Sequence, residues 1–286
     1  MESVEDMEQL PRLMPQFDSA VTRRCSVGLL DAGELRPEEY TRYLSADERT
    51  NYLALRSEIR RREWLAGRLL VKNIFLNRLE LSPEAQDGDW RPTLSTVSSA
   101  TLGDYSPWMY QKVQVSTNGG KPNLTWCGKD RSESISLSHS GSVSCASIGF
   151  GKPTAIDVEA NLPRVDAFYR INFSEVEKGW AMRAADGEQV RSNWLFTFLW
   201  TLKESVLKLG WLKQATVWSF PGIEINGLPG VNDIGRFWHS SMMSNDFAVF
   251  TLSVKDHGRV MPVQVAVTGT RNLILTVMNP LGGVVT

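Results

Sequence analysis

The stretch Thr154-Ala155-Ile156-Asp157-Val158-Glu159 reads as a short strand with two unlike faces. Side chains alternate along a strand, so Ile156 and Val158 share one face while Ala155, Asp157 and Glu159 share the other. Two carboxylates on one face repel each other, and the arrangement becomes favourable when a cation sits between them. Paired oxygen ligands with room for water and phosphate oxygens suit Mg2+ better than zinc. An edge strand with two solvated acids is the alternative, and the residues on either side decide between the two.

Immediately upstream, Ile135 to Ser138 alternates as a strand, His139-Ser140-Gly141 reads as its bend, and Val143 to Ile148 returns as a second strand. Downstream, Ser174-Glu175-Val176-Glu177 has the spacing of a capping box and opens a helix, and Asp186 to Glu188 reads as a turn. Leu195, Phe198, Leu199, Leu202, Val206 and Leu209 then form one apolar helical face that Gly210 stops. Trp200, Glu204 and Lys208 lie one turn apart on the opposite face, where Glu204 and Lys208 by themselves read as an i,i+4 ion pair. Phe247 to Lys255, Met261 to Val267 and Leu273 to Met278 alternate as strands, joined at Asp256-His257-Gly258 and Gly269-Thr270-Arg271. These patterns predict an α+β fold with antiparallel sheets covered by helices.

The N-terminal part repeats this order. Residues 1 to about 20 are acidic and proline-punctuated and read as a mobile arm. Arg24 to Leu30 forms a first strand, and Ser45-Ala46-Asp47-Glu48 is another capping box. Tyr52, Leu55, Ile59, Ala66, Leu70 and Ile74 mark a buried stripe on one long helix or two successive ones, reaching to about Leu79. The run Arg60-Arg61-Arg62 by itself reads as a solvated face. A long, partly ordered loop spans Ser82 to Gly120, with one strand from Lys112 to Ser116. The expected division is an arm over 1–20, a half over 21–150 and a half over 151–286.

Composition bounds the function. The 286 residues are 42% apolar and carry a formal net charge of -1, so no global field draws the chain to nucleic acid or anionic lipid. Cys25, Cys127 and Cys145 lack metal-ligand spacing and are odd in number, which fits free thiols in a reducing compartment. The acidic start Met1-Glu2-Ser3 reads as neither a secretory nor a mitochondrial leader, and Trp194 to Leu202 is too short to span a bilayer. The expectation is a cytoplasmic protein with no membrane and no nucleic-acid partner.

Five short motifs follow one another: Gly120-Lys121-Pro122, Ser138-His139-Ser140, Asp157-Val158-Glu159, Phe173-Ser174-Glu175-Val176-Glu177, and Trp200-Thr201-Leu202-Lys203-Glu204-Ser205-Val206-Leu207-Lys208. With the block Trp64-Leu65-Ala66-Gly67-Arg68 upstream, this order resembles the 4′-phosphopantetheinyl transferases of the surfactin-synthetase type, over roughly residues 24 to 215. The resemblance implies two similar α+β halves related by a pseudo-twofold axis, with the active site in the cleft between them. It also implies transfer of the phosphopantetheine arm of coenzyme A to a serine of an apo acyl or peptidyl carrier protein, releasing adenosine 3′,5′-bisphosphate. Such a duplicated chain is expected to work as a monomer.

By that resemblance Asp157 and Glu204 are direct Mg2+ ligands, and Glu159 either ligates or orients a metal-bound water. Glu204 is the candidate base, Lys208 meets the phosphates, and His139 binds a phosphate oxygen. Ser138, Lys203, Lys121 and either Arg61 or Arg62 complete the coenzyme A site. Ala155 stands where the family has glycine, and Glu48 and Asn51 where some members have lysine. The stretch Ser82 to Gly120 is longer than the family's compact pattern requires, and the region beyond Trp211 carries little resemblance. A non-catalytic relative that binds coenzyme A or carrier protein, and an unrelated Mg2+-dependent phosphohydrolase, are the competing readings.

Overall fold

Both capping boxes form as spelled. The Ser45 and Ser174 hydroxyls accept from the amides of Glu48 and Glu177, whose carboxylates accept in return from the two serine amides. The computed structural model describes residues 25–80, 93–96, 102, 104–118, 121–210, 220, 222–230, 233, 248–256, 259–270 and 272–281. It is α+β, with seven α-helices among the described residues and mainly antiparallel sheets. The expected arm over 1–20 lies outside them. The chain divides into two compact units between Ile156 and Asp157.

The first unit begins with β1 (Cys25–Asp31), α1 (Pro37–Tyr40), α2 (Ala46–Ala54) and α3 (Glu58–Glu80). There follow β2 (Thr93–Thr96), α4 (Pro107–Lys112), β3 (Val113–Asn118), β4 (Lys121–Trp126), β5 (Lys129–Asp130), β6 (Ser134–Ser140) and β7 (Val143–Gly149). One sheet has the order β2-β1-β7-β6, and the other is β3-β4-β5. β2 pairs with β1 in parallel, a departure from the expected antiparallel sheets; the chain between the two strands contains α1, α2 and α3, and a parallel partner needs such a long connection. Leu65, Leu69, Leu70 and Val71 of α3 are fully buried. The expected stripe fails at Ile59, which is 69% exposed, because α2 stops at Ala54 and Ile59 falls in the first turn of a separate helix. α4 replaces part of the expected loop, with Pro107 at its first turn, where no amide is needed.

His139 is a strand residue of β6 opposite Ser144, not a bend residue. The turn is Gly141-Ser142, where Gly141 adopts φ +58°, open to glycine at no steric cost.

The second unit takes over within β8 (Ala155–Ala160) and continues through α5 (Asp166–Asn172), α6 (Glu175–Ala185) and α7 (Gln189–Leu209). It ends with β9 (Ile223–Asn226), β10 (Ala248–Asp256), β11 (Arg259–Gly269) and β12 (Leu273–Pro280), in one sheet of order β8-β12-β11-β10-β9. Gly210 caps α7 in the left-handed region, and all six apolar positions read for this helix are buried. The helix is tied to β12 by the Thr201 and Thr276 hydroxyls, 2.7 Å apart. Phe247, His257, Gly258 and Arg271, parts of the expected strands and turns, lie outside the described residues.

Inside each unit the same buried knot recurs. In the first, Lys72 Nζ donates to Glu48 Oε2, to the Tyr43 carbonyl at 3.2 Å and to the Tyr110 carbonyl at 2.9 Å. Glu48 Oε1 accepts from the Val115 amide at 2.9 Å. In the second, Lys203 Nζ lies 2.8 Å from Glu177 Oε2 and donates to the Asn172 carbonyl at 2.7 Å and the Phe220 carbonyl at 3.2 Å. Glu177 Oε1 accepts from the Ile225 amide at 3.0 Å. Tyr43 and Asn172 stand at the same distance in sequence before their capping serines, and Val115 and Ile225 at the same distance after Tyr110 and Phe220. Burial of both lysines lowers their pKa and the paired glutamates oppose this, so each ammonium is kept by its carboxylate and carbonyls.

Candidate functional site

The second unit gathers four of the residues singled out in the sequence. β8 is an edge strand of its sheet, as the alternative reading had it, but Asp157 in its middle is 3% exposed and so is not a solvated acid. Lys208, from the last turn of α7, places Nζ 2.6 Å from Asp157 Oδ1. The lysine therefore pairs with the strand acid rather than with Glu204, its i,i+4 neighbour on the helix. Glu204 lies one turn earlier on α7, and among the described residues it forms no ion pair. Burial pushes its carboxyl up to about 7; Asp157 adds to this, Lys208 opposes it, and Glu159 adds further. Glu159 Oε1 accepts from Trp200 Nε1 at 3.2 Å, and its Oε2 lies 3.2 Å from Arg164 Nη2.

Three acids and a lysine thus share one field. Among the described residues no three His, Cys, Asp or Glu side chains are grouped closely enough to hold a metal ion as they stand. The donor chemistry nevertheless fits a hard divalent cation: the donors are carboxylate oxygens, positive charge is already drawn to Asp157, and the raised Glu204 carboxyl marks a place where added positive charge is favourable.

The first unit holds a cavity of about 320 Å³ lined by Leu55, Arg60, Glu63, Trp64, Gly67, Arg68, Leu137, Ser138 and His139. Arg60 Nη1 lies 3.0 Å from His139 Nε2, and His139 Nδ1 lies 3.4 Å from Glu63 Oε1. Arginine has only donors, so Nε2 accepts and a neutral His139 carries its proton on Nδ1, toward Glu63. Trp64 forms one wall, with the Arg68 guanidinium 4.1 Å from its ring centroid. Burial pulls Arg68 down to about 10, opposed by Glu48, so it stays charged at neutral pH. Its Nη2 donates to Thr117 Oγ1 at 3.3 Å, and its Nε is buried with no hydrogen-bond partner among the described residues.

Several expected site residues are placed elsewhere. Arg61 Nε donates to the Leu55 carbonyl at 2.8 Å, and Arg62 Nη2 pairs with Glu58 at 2.7 Å, so Arg60 is the member of the run that lines the cavity. The phase of α3 decides this, and three consecutive arginines do not reveal it. Lys121 is exposed on β4 and is not among the lining residues, while Gly120 lies outside the described residues. Lys203 is fully buried in its knot, and its amine is engaged there instead of facing a ligand. Arg68 and Trp64 belong to the quoted motif block but had no assigned role; an arginine after glycine on a buried helix face was the available signal.

No protein-family model matches this chain, and a search of curated proteins finds no match.

Proposed function

We propose that this chain is a 4′-phosphopantetheinyl transferase that moves the phosphopantetheine arm of coenzyme A to a serine of an apo acyl or peptidyl carrier protein, with Mg2+. The observation that carries this reading is the second-unit cluster, in which Lys208 meets buried Asp157 while Glu204 on the same helix has a carboxyl near neutrality. In this reading two duplicated halves are related by a pseudo-twofold axis and the active site lies in the cleft between them. The repeated lysine–glutamate knot supports the duplication.

Asp157 and Glu204 would hold the Mg2+, which when bound neutralises charge on the pyrophosphate. Glu204, or a water it holds, takes the proton of the carrier serine, whose oxygen forms the new bond to the phosphorus bearing the pantetheine arm. The bond from that phosphorus to the oxygen of adenosine 3′,5′-bisphosphate breaks, and Lys208 is placed to give that oxygen a proton. In the first unit, Arg60 and Arg68 supply donors for phosphate oxygens of coenzyme A, His139 donates from Nδ1 by exchanging Glu63 for a phosphate oxygen, and Ser138 adds a hydroxyl.

Release of adenosine 3′,5′-bisphosphate from coenzyme A tests this reading. Release that requires both apo carrier protein and Mg2+ supports transfer. Release of phosphopantetheine without a carrier points to a phosphohydrolase, and coenzyme A binding without any release points to a non-catalytic relative.

A further inference from the structure

Among the described residues, the two oxygens of Glu159 meet different partners on the protein itself. Its Oε1 is held by the Trp200 indole, and that ring is fixed in turn by Phe168 and Phe220, with centroids at 4.8 and 4.5 Å. Its Oε2 meets Arg164, whose guanidinium also lies over the Phe168 ring at 5.4 Å and whose amide donates to the Tyr169 hydroxyl at 3.1 Å. Arg164 is exposed, and an ion pair of this kind contributes little to folding stability. Its weight falls instead on the charge and orientation of Glu159.

We infer that Arg164 is a positioning and specificity residue that holds Glu159 back from the metal, so that the ion is taken by Asp157 and Glu204 and a small, water-rich ion is favoured. This rests on the metal-dependent reading above. Mg2+ keeps several waters and accepts few protein carboxylates, whereas larger ions accept more oxygen ligands. With Arg164 in place, Glu159 remains neutralised and turned toward Trp200. Without it, a third carboxylate becomes available and a positive charge is lost, and both changes favour larger divalent ions.

The test is direct binding of Mn2+, Ca2+ and Mg2+ to the full chain without substrate, by calorimetry and by the Mn2+ electron paramagnetic resonance signal. Arg164→Gln should bind Mn2+ and Ca2+ about tenfold more tightly than the unaltered protein, with a smaller gain for Mg2+. Arg164→Lys keeps the charge and should stay within about twofold of it. Arg170→Gln removes the same charge from α5 away from Glu159 and should change little. Equal affinities for Arg164→Gln and the unaltered protein overturn this inference alone. Absence of divalent-ion binding by the unaltered protein overturns it together with the metal-dependent reading.

Discussion

The two units are built on one frame and loaded differently. Lys72 and Lys203 set the correspondence of the two long helices, and by it Asn73 and Asn77 of α3 match Glu204 and Lys208 of α7. The strands align as well: just past β1 the Ala32 amide donates to the Ser142 carbonyl at 2.7 Å, and just past β8 the Asn161 amide donates to the Asn272 carbonyl at 2.7 Å. Gly28 thus stands where Asp157 stands. A Cβ at Gly28 would lie 3.0 Å from Leu70 Cδ2 and 3.0 Å from Ile74 Cδ1. The matching positions of α7 are the small, buried Thr201 and Ser205. One unit fills the space between strand and helix with helix side chains, and the other keeps helix side chains small beneath a strand acid. The frame comes from the knots, and the proposed chemistry rests on Asp157, Glu204 and Lys208, where the first unit has Gly28, Asn73 and Asn77.

The largest effects are expected where the frame is broken. Lys72→Met and Lys203→Met each strand a buried glutamate, and each should destabilise the chain by about 3–5 kcal/mol in denaturant unfolding. A Lys203→Met protein of unchanged stability with weakened coenzyme A binding would instead restore that residue to the ligand site. Changes to the load should leave the frame standing. Glu204→Gln should reduce transfer by at least about 10²-fold while leaving the chain folded; Asn73→Asp, at the matching place, should leave the transfer rate within about threefold.

At the first-unit cavity, His139→Ala and Arg60→Ala should each weaken coenzyme A binding about tenfold by calorimetry, as expected for loss of a charge-assisted hydrogen bond. Unchanged affinity in both would remove the cavity from the proposed site.

The last expected effect is a pH dependence peculiar to the second unit. Burial raises the Glu204 carboxyl from 4.5 to about 7, so the folded chain holds this proton more tightly than the unfolded chain. Its contribution to stability is fully present below pH 4.5 and is lost as pH rises through about 7. In metal-free solution the unaltered protein should lose stability across this range relative to Glu204→Gln. Parallel melting profiles would show that the carboxyl is not held up.

What could be read in advance was what is spelled locally. The capping boxes need four residues, α7 shows its buried face in one continuous stripe, and β10 to β12 are apolar runs bounded by turn residues, although every residue of β12 is buried. The misses have physical reasons. α5 buries none of its residues and so shows no apolar stripe, while α4 has only six residues, with Ser106-Pro107 as its one signal. β9 is four residues long. In the site, Asp157, Glu204 and Lys208 were recognisable because they sit in short motifs on single elements. The pairing of Lys208 with Asp157, the choice of Arg60 over its neighbours and the placing of Arg164 on Glu159 join different elements or depend on helix phase. Lys203 shows the reverse: a motif lysine next to Glu204 points inward, because adjacent helix positions are turned about 100° apart.

The most direct measurement is the intact mass of an apo acyl carrier protein after incubation with this chain, coenzyme A and Mg2+. The account predicts a gain of one phosphopantetheine that vanishes with a chelator and with Glu204→Gln. Unchanged mass across a panel of acyl and peptidyl carriers, or a gain that persists in the chelator, would contradict it.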